Sequence, residues 1–84
     1  MSPIDVLQAL RKRPFEPFRI QVSDGSTYDV RHPELAMVGL GSVSIGIPAS
    51  GEAQPVYERV ETLSLGQVVK LIPLGAAKTA DGTP

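Results

Sequence analysis

His32 is the chain's only histidine, and there is no cysteine. A zinc centre needs several imidazole or thiolate ligands, so a His-rich or thiolate metal site is excluded. A hydrolytic triad would need His32 beside a serine and an aspartate brought from unrelated segments. In His32-Pro33-Glu34-Leu35 the imidazole reads instead as a surface turn residue in front of a proline. Gly39-x-Gly41 is not a dinucleotide fingerprint, because Ser44 stands where the third glycine belongs and no strand-to-helix context surrounds it. Glu58 and Glu61 fall on opposite faces of a regular strand and cannot act as a pair. No constellation supports a reaction. The chain reads as a non-enzyme that needs no cofactor.

Arg11-Lys12-Arg13, with Arg19 and Arg31 further on, forms the one basic cluster. Cations in the last turn of a helix complement its dipole. The sharper alternative makes Arg11, Lys12 and Arg13 a phosphate-contacting patch, with Tyr28 or Tyr57 stacking on single-stranded bases. A formal net charge of −1 gives no strongly basic surface.

The elements that carry these residues start with a hairpin. Phe18, Ile20 and Val22 alternate with Arg19, Gln21 and Ser23, and Tyr28 and Val30 alternate with Thr27, Asp29 and Arg31. This is the period of two that marks half-buried strands. Asp24-Gly25 between them is a hairpin signal, since glycine accepts a positive φ. A two-residue loop would set Val22 against Thr27 and mix apolar with polar side chains on each face. A three-residue loop, Ser23-Asp24-Gly25, sets Ile20 against Tyr28 and Phe18 against Val30. A slip of one residue inverts every side chain, so the three-residue loop is expected, with Gly25 in the left-handed region closing a bulge.

Ahead of the hairpin, Ser2-Pro3-Ile4-Asp5 is a helix start, with Ser2 as cap and Asp5 as the reciprocating acid. Ile4, Val6, Leu7 and Leu10 make an apolar stripe, and Pro14 stops a helix expected over Ser2 to Lys12. Beyond it, His32 to Leu35 interrupts the strand pattern, because Pro33 has no amide hydrogen. Strands are expected at Met37–Val38, Val43–Ile47, Val56–Leu63 and Gln67–Ile72, with Pro48–Pro55 as a loop. The expected class is mainly β: an N-terminal helix, then about five short antiparallel strands forming a small SH3-like, Sm-like or OB-like barrel or a strongly bent sheet. Residues 1–74 make one domain, and residues 75–84, lacking core-formers, make a disordered tail. With no long apolar run, no membrane contact is expected and the default compartment is the cytoplasm.

Two resemblances add to this reading. Pro14-Phe15-Glu16-Pro17-Phe18, Asp24-Gly25, His32-Pro33-Glu34-Leu35 and Val38-Gly39 together resemble a family of short uncharacterised bacterial proteins, over the chain up to about Leu74. That family implies no activity. The layout also resembles the Sm-like fold, through Val22 to Tyr28 and through Thr62 to Pro73, which look like its final two strands. That resemblance implies ring closure through strands paired between subunits. Ser64-Leu65-Gly66 stands where the family carries a basic RNA-contacting motif, so no RNA-binding residue carries over.

The expected function is a non-enzymatic interaction or assembly module that forms a homo-oligomer by strand-edge pairing, with Val68, Val69, Leu71 and Ile72 as candidate interface residues. A domain this small buries only roughly 60% of its unfolded surface, so association would supply stability that disulfides cannot. The alternative is an Sm-like or OB-like single-stranded nucleic-acid (RNA) binding protein that uses Arg11, Lys12 and Arg13.

Overall fold

The computed structural model describes residues 1–49 and 56–75. Most of the expected Pro48–Pro55 loop, and all but the first residue of the expected tail 75–84, lie outside the described residues.

Helix α1 spans Pro3–Arg11. The Ser2 hydroxyl accepts from the Ile4 amide at 3.1 Å, and the Ser2 amide donates to Asp5 Oδ2 at 3.4 Å. This reciprocal cap satisfies two of the amides a helix start leaves unpaired. The buried residue of α1 is Val6, with Ala9 and Leu10 packed partly beneath it. The expected apolar stripe is therefore displaced. Ile4 lies two residues, and so more than half a turn, from Val6, and stands 61% exposed.

Six strands follow: β1 (Phe18–Val22), β2 (Thr27–Val30), β3 (Ala36–Val38), β4 (Ser42–Pro48), β5 (Tyr57–Ser64) and β6 (Val68–Pro73). They form two three-stranded antiparallel sheets, ordered β2-β1-β6 and β3-β4-β5. The six match the six segments expected, one more than the overall count of about five, and Pro33–Leu35 coils into a 3₁₀ turn that keeps β2 and β3 separate. Pro33 cannot donate to a ladder, and Leu35 turns inward to be buried. The two sheets stay separate, so no closed barrel forms among the described residues.

The β1–β2 hairpin has the three-residue loop. Phe18 faces Val30 and Ile20 faces Tyr28. The Val22 amide donates to the Ser26 carbonyl and the Gly25 amide to the Val22 carbonyl, both at 2.9 Å. Gly25 has φ +93°, and the Asp24 carboxylate accepts from the Ser26 amide at 2.8 Å. In this register Phe18, Ile20, Val22 and Val30 all enter the core. There they meet Val43, Ile45 and Leu63 from the second sheet, with Val6, Leu35, Leu65 and Val68 closing the ends. No polar side chain is buried among the described residues. The core therefore needs no internal hydrogen-bond partners and incurs no unpaired-group penalty.

Gly25→Val tests the turn. A Cβ at this position meets no neighbour within 4 Å, so the cost comes from the backbone alone. A β-branched residue at positive φ is disfavoured by about 1–2 kcal/mol. The expected result is a melting temperature lower by about 4–8 °C per kcal/mol. An unchanged melting temperature would rule out this turn.

Candidate functional site

Of the basic residues named in the sequence, Lys12, Arg19 and Arg31 are paired with acids. Lys12 Nζ is 2.8 Å from Glu16 Oε1, across a shallow groove that Ala9, Phe18, Leu71 and Pro73 also line. Arg11 closes the last turn of α1, and Arg13 precedes a cis peptide bond to Pro14. Arg19 and Arg31 both turn to Asp29. Tyr28 lies half-buried against the core, and the Tyr57 ring rests on the backbone of Gly46, where an added Cβ would meet it at 3.0 Å. His32 is exposed and leads into the 3₁₀ turn, and no group of three or more His, Asp or Glu could hold a metal ion among the described residues.

The Arg19–Asp29 pair shows how this sheet uses charge. The two residues are direct cross-strand partners. The Val22–Ser26 bonds fix which rungs exchange amide hydrogens, and Arg19–Asp29 falls on a rung that does not. Side chains approach most closely on such rungs. Arg19 Nε donates to Asp29 Oδ1 at 2.7 Å and Nη2 to Oδ2 at 3.2 Å, a two-point contact. The Arg19 hydrogen bond holds the Asp29 carboxyl below the usual carboxylate range, with Arg31 contributing by charge.

The free edges of the two sheets are β2 and β6 in one and β3 and β5 in the other. Strands β2 and β3 are short. Strand β5 is the longest in the fold, at eight residues, and only Leu63 is buried. The Leu65 amide donates to the Gly41 carbonyl at 2.9 Å, which sets the alternation along β5. Arg59, Glu61 and Leu63 direct their amides and carbonyls toward β4, while Val60, Thr62 and Ser64 direct theirs outward. On the outer face Val60 is 60% and Tyr57 40% exposed. Arg59 sits between two acids, with Nε 2.7 Å from Glu61 Oε2 and Nη1 3.3 Å from Glu58 Oε2. The bond to Glu61 raises the Arg59 guanidinium pKa above its ordinary value. A bulge between Ile47 and Pro48 ends the regular ladder beyond Arg59.

Strand β6 carries the residues expected at an interface. Val68 is buried in the chain's own core, Val69 is 55% exposed, and Leu71 and Ile72 are half-buried. The Leu74 amide donates to the Pro17 carbonyl at 3.0 Å, so Val69, Leu71 and Pro73 present their backbone to the free side. Pro73 has no amide to present, and Lys70 adds a charge. Both are recognised ways of blunting an edge. Strand β5 does not stand out in the sequence, because Glu58, Arg59 and Glu61 put charge on both of its faces. The Val56-Tyr57 and Val60 positions among them were the available signal.

Set against protein-family models, curated proteins and solved structures, the chain gives no match. No helix among the described residues is long and apolar enough to cross a membrane.

The depressed Asp29 pKa has a signed consequence. The stability this carboxylate contributes is fully present above its unfolded value, about pH 4, and is lost as pH falls through the lower folded-state value. Melting temperatures taken from neutral pH downward should fall less steeply below about pH 4 in Asp29→Asn than in the parent chain. Parallel curves would remove Asp29 from the acid response.

Proposed function

We propose that this protein is a non-enzymatic assembly module that forms a homo-oligomer through strand-edge pairing. The observation that carries this reading is the β5 edge. It is a long strand with outward-directed backbone groups and exposed Val60 and Tyr57, and no neighbouring strand covers it among the described residues. Such an edge is a template for another strand, and folded proteins usually shorten, charge or cover it. Strand β6 ends in Pro73 and carries Lys70, whereas β5 has three charges of both signs but no proline within Tyr57–Ser64, so its backbone donors are all present. The small apolar core is a second support, since a domain of this size gains much from area buried on association.

The Sm-like resemblance is consistent with this reading. If β2, the 3₁₀ turn and β3 are taken as one bent strand, the six segments become a bent five-stranded arrangement behind an N-terminal helix. In that arrangement β5 and β6 are the outer members. Assembly through the β5 edge is part of the proposal.

Light scattering on the purified full chain tests it. The expected mass is a multiple of the 8.9 kDa protomer, with a melting temperature that rises with concentration. A strictly monomeric, stably folded protein at micromolar concentration would overturn the reading. Nucleic acid carried through purification, visible as a raised 260/280 nm absorbance ratio, would instead favour RNA binding.

A further inference from the structure

Resting on the assembly reading above, we infer that the partner of β5 is the β5 of a second copy, antiparallel about a two-fold axis at Val60, with Arg59 of each chain opposite Glu61 of the other. Hydrogen-bond direction and charge together select this register. In a new ladder, outward-directed residues must oppose outward-directed residues, so the possible two-fold centres on the regular part of β5 are few. Centred on Arg59, two guanidinium groups would face each other directly. Centred on Glu61, two carboxylates would do so. Like charges at directly opposed positions destabilise a sheet. Centred on Thr62, Glu61 would face Leu63, a charge against an apolar side chain. Centred on Val60, each Arg59 faces a Glu61 on one side of the ribbon and the two Val60 side chains meet on the other.

The Val60 centre also places Arg59 and Glu61 on rungs that exchange no amide hydrogens, where cross-strand side chains lie closest. Arg19 and Asp29 already occupy such a rung within the chain and form a two-point contact at 2.7 and 3.2 Å. In the isolated chain Arg59 bonds Glu61 two residues along its own strand at 2.7 Å. Bringing up the second copy turns two isolated pairs into four alternating charges. The arrangement is self-complementary, as an isologous interface must be. A further strand cannot add to an edge that is already paired. The expected assembly is therefore a closed dimer.

The test uses two single variants of the full chain, Arg59→Glu and Glu61→Arg, each with its fold checked by circular dichroism. By sedimentation, each variant alone should dimerise at least about tenfold more weakly than the parent, because both interchain pairs become repulsive. An equimolar mixture should restore the dimer. One variant then carries only acids at the two positions and the other only guanidinium groups, so both contacts between unlike chains are again opposite in charge. A variant-free measurement stands beside it. Amide exchange at Val60 and Thr62, whose N–H groups point away from β4, should slow by about tenfold or more as the parent protein is concentrated. Variants that dimerise as well as the parent, a mixture that stays dissociated, Val60 and Thr62 amides indifferent to concentration, or an assembly larger than a dimer would each overturn this register. Any of those results in a protein that still associates leaves the assembly reading standing. A parent chain that never associates removes both.

Discussion

The corner between β5 and β6 is the constraint on which the two sheets depend. Leu65–Gln67 coils into a 3₁₀ turn whose leading residue is buried. Three separate parts of the chain are tied to its backbone. The Leu65 amide donates to the Gly41 carbonyl at 2.9 Å, the Leu65 carbonyl accepts from the Met1 nitrogen at 3.1 Å, and the Gln67 carbonyl accepts from the Ser23 amide at 2.9 Å. One bond reaches the start of β4, one the start of the helix, and one the hairpin turn. The Ser64 hydroxyl accepts from the Gly66 amide at 3.3 Å and keeps the turn from unwinding. Because β5 belongs to one sheet and β6 to the other, this corner is one of two places where the chain crosses between layers, the other being the Pro33–Leu35 turn between β2 and β3. Leu65 and Val68 fill the space beneath it.

Once that corner holds, the rest is a matter of what each layer can bury. The inner faces supply aliphatic side chains and little else, so the fold has a dry but modest core. Stabilities of domains are near 0.05–0.15 kcal/mol per residue, so a chain this short works with few kcal/mol in all. Surface ion pairs add little to such a total. Their value here is positional. Arg19–Asp29 reinforces the hairpin register, and the proposed β5 pairing takes its register from Arg59 and Glu61.

The hairpin and the helix cap were legible in the sequence because their causes are local. Asp24-Gly25 and the alternation around it leave one loop length that sorts apolar from polar, and Ser2-Pro3-x-Asp5 spells its own hydrogen bonds. Other features depend on partners distant in the chain. Nothing local tells whether Ile4 or Val6 meets the sheet, since both belong to the same stripe. Pro33 marks an interruption, but burial of Leu35 is what turns it into a 3₁₀ turn separating two strands. The candidate site was hardest to read. Strand β6 is the more apolar string, yet Val68 serves its own core, and β5 gains its importance only from standing at an edge. Edge position is a property of topology, and the charges that accompany it on β5 read equally as those of a solvated strand.

The bond between Met1 and Leu65 spans 64 residues of chain, and β1 finds its second neighbour only when β6 arrives. Contacts between distant segments are slow to form, because the entropy of closing a long loop is lost before the contact rewards it. The β1–β2 hairpin closes over three residues and belongs to the microsecond regime, whereas completing the first sheet must wait for nearly the whole sequence. Strands β3 to β5, joined in sequence order, can pair before that step. In that order of pairing the β5 edge forms ahead of the corner behind it. The edge that the folded monomer presents to a partner is then also presented before its two sheets are joined.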